Sequence, residues 1–394
     1  MKSSFPWAFV LALSLLAAAV RATEPTVEER LKTLESLVHD LAKENAELKK
    51  ELGWKETKAP VLVRPAGQEI KLSVGGFLQA QGEFGHAADA RWAGVKDRFY
   101  FRRSRIFVMG SFAENFDFKA EIELQGGSLS PATGLNTRTS EIYIGWRKYD
   151  FANIRFGQIK PAYGAEQLAS DLRLIAIERS LSNDRLTDGR QIGLSVGGEV
   201  LDKKISYLVM LANGNGSNVS ANDNSKFQKS AHLYFTPIAT KENKLVLGVG
   251  GLWATDADVT KSGFGFAGNL FTGERSAWGL DTQWNHGRFD LSAEWLHNTF
   301  RPANALPAAR FSADGWQVTA AYFVVPTKLQ AVLRREEFDP NTSIGANATR
   351  SWTIGLNYLI HGEDLRLMVD YIHGEVPGST ADGGRLLTRM QVLF

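Results

Sequence analysis

Apolar and polar residues alternate with a period of two through most of the chain after residue 70. The pattern is clear in residues 70–81, 116–125 and 351–360, where hydrophobic side chains take every second position. Such segments carry one apolar and one polar face, as β-strands do when one side meets lipid and the other meets water. The alternation therefore predicts strands of a membrane-spanning sheet.

Sixteen segments follow this pattern, and an even number of antiparallel strands is typical of bacterial outer-membrane barrels. We expect strands at 70–84, 98–112, 115–125, 139–148, 152–160, 191–199, 203–211, 227–236, 244–253, 276–286, 288–299, 313–324, 328–337, 350–360, 364–374 and 385–394. The predicted fold is all-β, a 16-stranded antiparallel transmembrane β-barrel over residues 70–394. Residues 101–105 (Phe-Arg-Arg-Ser-Arg) break the alternation, which predicts a β-bulge.

The connections between these segments differ in length in a regular way. Short turns follow the even-numbered segments, and longer connections follow the odd-numbered ones, including 161–190 and 254–275. Outer-membrane barrels have short turns at the periplasmic end and long loops at the other. The chain also ends on an alternating segment with a terminal aromatic, Phe394, which resembles the outer-membrane assembly signal.

The first 69 residues have a different organisation. Residues 1–22 carry Lys2 and then an apolar run, which predicts a secretory signal peptide; the alternative is a short membrane anchor. A heptad repeat predicts a coiled-coil helix over 23–54, and the alternative is one amphipathic helix packed on the barrel. Its polar Asn45 at an a position fixes register. Residues 55–69 are interpreted as a linker, with the coil in the periplasm.

Composition narrows the function further. The chain has no cysteine, and its 45 basic and 43 acidic residues give no excess charge that favours nucleic acid. After residue 22 no apolar stretch is long enough for a membrane helix. No phosphate-binding glycine loop, zinc helix motif or nucleophile elbow is present. We therefore predict a protein that is not an enzyme and needs no cofactor or metal.

Basic residues concentrate where a barrel of this kind is expected to narrow, on the second and fifth strands and in the segment 161–190. Rings of basic side chains select anions in pores, and the planar guanidinium group suits phosphate. The predicted pore-lining residues are Arg102, Arg103, Arg105, Arg155, Lys160, Arg173, Arg179, Arg185 and Arg190. The acids Asp171, Glu178, Asp184 and Asp188 lie in the same segment and offer an alternative, a loop that neutralises itself.

Several stretches resemble the phosphate-selective porin O/P family, chiefly Phe-Arg-Arg at 101–103 and Glu-Arg-Ser-Leu at 178–181. The resemblance covers residue 70 to the C-terminus. It implies a trimeric barrel in the outer membrane of a Gram-negative cell, with the loop 161–190 folded inward as a constriction. It further implies that Arg102, Arg103 and Arg179 line a phosphate pathway.

The chain departs from the family pattern at some of these positions. Gln167 stands where a selective member has lysine, Arg105 and Lys160 replace tyrosines, and 254–275 lacks an arginine-rich ladder. The predicted function is passive diffusion of small anions, with phosphate as one candidate. The alternatives are a structural barrel that the coiled coil tethers within the envelope, and a general, sugar or cation pore.

Overall fold

The computed structural model describes residues 71–124, 137–303, 310–375 and 383–394, together with Lys32, Ser36 and Pro377. The chain divides into two units, Met1–Val61 and Leu62–Phe394. In the first unit only Lys32 and Ser36 are described, and both are helical. The predicted signal peptide, coiled coil and linker otherwise lie outside the described residues.

The second unit is a closed antiparallel barrel of sixteen strands, which confirms the predicted barrel architecture. The first eight strands are β1 Lys71–Gly85, β2 Arg98–Phe112, β3 Phe116–Glu123, β4 Arg138–Tyr149, β5 Ala152–Ile159, β6 Gln191–Val200, β7 Ile205–Ala212 and β8 Gln228–Ala239. The others are β9 Asn243–Thr260, β10 Leu270–His286, β11 Phe289–Pro302, β12 Phe311–Val325, β13 Leu329–Asp339, β14 Thr349–His361, β15 Leu365–Glu375 and β16 Gly383–Leu393.

The barrel closes because β1 pairs with both β2 and β16, so that neither end of the sheet is left as an open edge. A closed sheet satisfies all backbone groups between strands, which is the condition for crossing lipid. Alternation decides which face each side chain takes. Phe156 and Ile354 are each 63% exposed on the outer wall, whereas Gln79 and Glu83 are 0% exposed on the inner wall.

Two features of the strands differ from, or refine, the sequence-based prediction. β9 continues to Thr260 and β10 begins at Leu270, so most of the expected long loop 254–275 is a strand hairpin. In β2 the register shifts so that Gln79 pairs with Arg103 and Ala80 pairs with Phe101. This shift is the predicted bulge, and it leaves Arg102 as the extra residue.

Three loops at one end of the barrel contribute to its interior. We call residues 86–97 the first loop, 160–190 the inner loop and 261–269 the fifth loop. The inner loop contains two short helices, α1 Ala165–Leu168 and α2 Leu181–Leu186. The first and fifth loops contain 3₁₀ turns at Ala90–Trp92 and Ala267–Asn269. No helix among the described residues is both long and apolar enough to span a membrane.

The first and fifth loops are each anchored in the interior by their own apolar residues. Trp92 of the first loop is fully buried with Ile177 of the inner loop and Leu387 of β16. Phe264 and Phe266 of the fifth loop pack against a cluster of buried aromatic residues that includes Phe300. The burial of these side chains removes apolar surface from water and holds the loops against the inner loop and the wall.

Candidate functional site

The inner loop lies among inward-facing side chains of strands that are distant in sequence. The Tyr163 hydroxyl group contacts Asn298 at 3.1 Å, and the Ile177 backbone N–H donates to Asp370 at 2.7 Å. Ile177 and Leu186 are both fully buried. Since β11 and β15 lie well apart in the strand order, the loop reaches across the interior of the barrel.

Carboxylates accept hydrogen bonds from the start of each helix in the inner loop. Glu294 on β11 accepts from the Ala165 N–H at 2.5 Å, and Glu336 on β13 accepts from the Leu181 N–H at 2.9 Å. Glu166, within the loop, accepts from the Ser180 N–H at 2.9 Å. The first N–H groups of a helix have no partner inside it, so these carboxylates satisfy donors that burial would otherwise leave unpaired.

The bulge in β2 explains how consecutive arginines reach the same interior. Arg102, the extra residue of the bulge, points inward and pairs with Glu178 at 2.9 Å. After it, Arg103 and Arg105 also point inward and pair with Asp171 at 3.3 and 2.8 Å. A regular strand would place Arg102 and Arg103 on opposite faces.

Asp171 is the centre of this cluster, because Arg179 of the inner loop also pairs with it, at 2.7 Å. Burial by itself would raise the pKa of the Asp171 carboxyl group, but Arg103, Arg179 and Arg105 together hold it well below its usual range. Asp171 therefore stays ionised and joins the inner loop to the wall through the guanidinium groups of Arg103 and Arg105.

The remaining predicted pore residues lie outside this cluster. Lys160 donates to the Ala169 carbonyl group at 2.7 Å, and Arg190 pairs with Glu141 at 3.5 Å. Three others contact different parts of the barrel: Arg155 lies over the Tyr143 ring at 4.7 Å, Arg173 pairs with Glu363 at 3.2 Å, and Arg185 lies 3.8 Å from Asp184. The structure thus brings together four of the nine predicted residues.

Lys160 differs from the arginines of the site because its pKa lies near neutrality. Burial lowers the pKa of its ammonium group to about 7, Arg179 and Arg190 act in the same direction, and Asp171 opposes them. Its charge therefore changes within the ordinary range of pH, unlike that of an arginine.

A cavity of about 160 Å³ lies between the inner loop and the wall. Four arginines line it, two of them on β2. Three carboxylates line it as well, all from the inner loop. The charged lining residues are Arg91, Arg102, Arg103, Arg179, Glu178, Asp184 and Asp188.

The acids of the inner loop form ion pairs, as the alternative interpretation expected, but their partners are not all at this cavity. Glu178 pairs with Arg102 and also with Arg389 on β16. Asp188 pairs with Lys261 and Arg275, neither of which lines the cavity. The charge of Asp188 is thus offset from outside the cavity, as are those of Arg103 and Arg179 by Asp171 and that of Arg91 by Asp89. The lining itself holds four cations and three anions.

Comparison with known proteins agrees with this architecture. The family model for phosphate-selective porin O and P matches residues 78–394. The chain belongs to this family. Porin O of Pseudomonas aeruginosa is 24% identical over 371 residues, which are 84% of this chain and 82% of that protein. The protein is therefore an outer-membrane porin, and family membership indicates a channel rather than an enzyme.

Solved structures of other porins share its fold. The anion-selective porin from Comamonas acidovorans has a TM-score of 0.57 at 12% identity, covering 83% of this chain and all of that one. The trimer form of OmpT from Vibrio cholerae has a TM-score of 0.54 at 13% identity, covering 82% and 99%. At these identities the likeness extends to the fold alone.

Several arginines of the porin's interior were missed by the sequence-based prediction, Arg91 and Arg389 among them. Arg91 of the first loop donates to the Arg179 carbonyl group at 2.7 Å, and Arg389 contacts Glu178. Arg389 could have been found, because it alternates with the lipid-facing Met390 on the last strand. Arg91 could not, since the burial of its neighbour Trp92 brings it inward and no periodicity marks the first loop.

Proposed function

We propose that this porin is a water-filled channel for passive diffusion of small anions, phosphate among them. The observation that carries the proposal is the cavity beside the inner loop, where four arginines face three carboxylates. Guanidinium groups remain charged at any physiological pH and donate hydrogen bonds in pairs to oxyanions. Basic side chains at a narrow point favour anions over cations.

The nine predicted basic residues have different roles in the proposed channel. Arg102, Arg103 and Arg179 form the filter, and Arg91 is added to them because it lines the same cavity. Arg105 and Lys160 contribute charge from close by, through their interactions with Asp171 and the Ala169 carbonyl group. Arg155, Arg173, Arg185 and Arg190 are assigned to the approaches to the cavity.

The extensive ion pairing argues for a general anion channel more than for a strict phosphate filter. Arg102, Arg103 and Arg179 each have a carboxylate within 3.3 Å. A guanidinium group that already binds a carboxylate has fewer free donors for an entering anion. We therefore expect phosphate to pass without strong retention.

Planar-bilayer recording across a salt gradient tests the function. We expect an open channel whose reversal potential favours chloride, with phosphate reducing the chloride current only weakly. A reversal potential that favours cations would refute anion selectivity. Absence of conductance from a correctly folded barrel would favour the second candidate function, a structural barrel tethered by its coiled coil.

We further propose that residues 1–22 are removed as a signal peptide, that residues 23–54 form a periplasmic coiled coil, and that residues 55–69 link this coil to the barrel. We also propose that the porin is a homotrimer embedded in outer-membrane lipid. The heptad repeat and the trimeric form of the Vibrio cholerae relative support this assembly. Mass measurement in detergent, with and without residues 23–54, tests it. A monomer in both cases would refute the trimer.

A further inference from the structure

A basic groove lies on the outer wall of the barrel, at the end that carries the long loops. Its volume is about 680 Å³, and we call it the rim groove. Its charged side chains come from the segment before β8, from β8 itself, from β10 and β11, and from the residue before β12. They include Lys226, Lys229, Glu274, Arg301 and Arg310.

The pairing of the strands shows that this groove faces lipid and not the lumen. Trp253 in the groove is 54% exposed, and it shares the outer face of β9 with Val249 and Leu247, which are 45% and 43% exposed. Lys229 is the direct partner of Trp253 across β8 and β9. Directly opposite residues of an antiparallel pair lie on the same face, so Lys229 also points outward.

The rim groove has an excess of uncompensated positive charge. The acid among its described residues, Glu274, pairs with Arg301 at 2.8 Å, and both side chains are 60% exposed. Within the part of the chain that the structure describes, the side chains of Lys226, Lys229 and Arg310 take part in no ion pair or hydrogen bond. These three cations therefore face the same space without a described partner.

This excess distinguishes the β8–β11 side of the rim from the β13–β14 side. On the outer face of β13 and β14, Arg350 pairs with Glu337 at 2.8 Å, and Arg335 lies over the Trp352 ring at 5.1 Å. Both cations there have a partner within the wall itself. The rim groove is thus distinguished from this part of the rim by charge that the described residues do not balance.

We propose that the rim groove binds the phosphate groups of a lipid headgroup in the outer leaflet, as found in a phosphorylated glycolipid. Tryptophan on a lipid-facing wall marks the headgroup level, where lysine and arginine can reach a phosphate. Leu211 and Phe227 add an apolar lining beside Trp253. That lining suits the acyl chains of a lipid and contributes nothing to the binding of a free anion.

Binding of lipid A to the purified full-length porin in detergent tests the proposal by native mass spectrometry. Bis-phosphorylated and dephosphorylated lipid A are the two probes. The variant is Lys226→Gln, Lys229→Gln and Arg310→Gln combined, and the matched control is Arg350→Gln on the balanced side of the rim. Each cation near a lipid surface strengthens the binding of a lipid that carries phosphate. We therefore expect the triple change to weaken the binding of bis-phosphorylated lipid A about 100-fold.

The dephosphorylated probe should bind weakly to the original protein, and the triple change should not alter that binding. Arg350→Gln should leave the binding of both probes unchanged. Equal binding of the two probes, or no loss in the triple variant, would overturn the proposal. Displacement of lipid A by an equal concentration of inorganic phosphate would also overturn it and assign the groove to free anions. Folding is checked by the heat-dependent mobility of the barrel on gels, and Lys229→Gln alone provides the same test if the triple variant does not fold.

Discussion

Neutralising Arg102 separates the charge of the proposed filter from the part that this arginine plays in holding the inner loop. Arg102 lines the cavity and pairs with Glu178 at 2.9 Å. In Arg102→Gln, Glu178 keeps its second partner, Arg389, so this carboxylate retains an ion pair to the wall. The cavity lining changes from four cations and three anions to equal numbers.

The size of the effect follows from Coulomb's law. A unit charge about 4 Å from a passing ion contributes about 1 kcal/mol when water fills the space between them. Removing it raises the free energy of an anion in the cavity by that amount, which is about fivefold in permeability. The same change lowers the free energy of a cation in the cavity by a like amount, so we expect the anion-to-cation permeability ratio to fall about 25-fold, with a comparable single-channel conductance.

The assay is the reversal potential in a bilayer at an ionic strength near ~0.1 M, where the Debye length of about 10 Å leaves charge effects measurable. Arg350→Gln is a matched control, because Arg350 pairs with Glu337 at 2.8 Å on the outer face of β14 and does not line the cavity. The double change Arg102→Gln with Glu178→Gln leaves three cations and two anions in the cavity lining, which is the original excess of one positive charge. It should therefore recover the original anion-to-cation permeability ratio. An unchanged ratio in Arg102→Gln, or no recovery in the double variant, would refute the reasoning.

Three further predictions concern the inner loop. Because the pKa of Lys160 lies at about 7 and its ammonium group is charged only below that value, anion preference should decrease as the pH rises through about 7, and Lys160→Gln should abolish this dependence. Asp188→Asn leaves two buried cations without their shared carboxylate, so we expect a loss of about 3–5 kcal/mol, measured as a lower temperature of barrel unfolding on gels. Glu336→Leu leaves the start of α2 without its acceptor, which costs about 1–3 kcal/mol, and open-channel current noise should increase as the inner loop detaches more often.

The strands were predictable because lipid and water impose a strict alternation on every residue that crosses the membrane. That constraint ends where the wall leaves the lipid, and for this reason the extension of β9 to Thr260 was not expected. Residues 256 and 258 are both aspartate, so the sequence there looked like a loop although the backbone continues as a hairpin. The bulge at Arg102 was predictable, since a broken alternation is its direct sign.

Ion-pair partners within the lumen were not predictable from spacing. Asp171 and Arg103 are far apart in the chain, and they meet only because the inner loop crosses the barrel to β2. The sequence showed that acids and bases were both abundant in residues 161–190, but not which acids face the cavity. The position of Asp188 illustrates the difference, because its partners Lys261 and Arg275 come from the fifth loop and from β10.

The inner loop is attached to the wall by charges as well as by apolar packing, and this has a consequence for how selectivity can change. Arg103 and Arg179 line the cavity and also hold Asp171, so removing either one alters the filter and weakens the attachment together. A buried carboxylate that loses a partner is costly, whereas a matched removal of acid and base is far less so. Selectivity in this porin should therefore be altered by paired substitutions, and single neutralisations at Arg103 or Arg179 should increase current noise as well as shift the reversal potential.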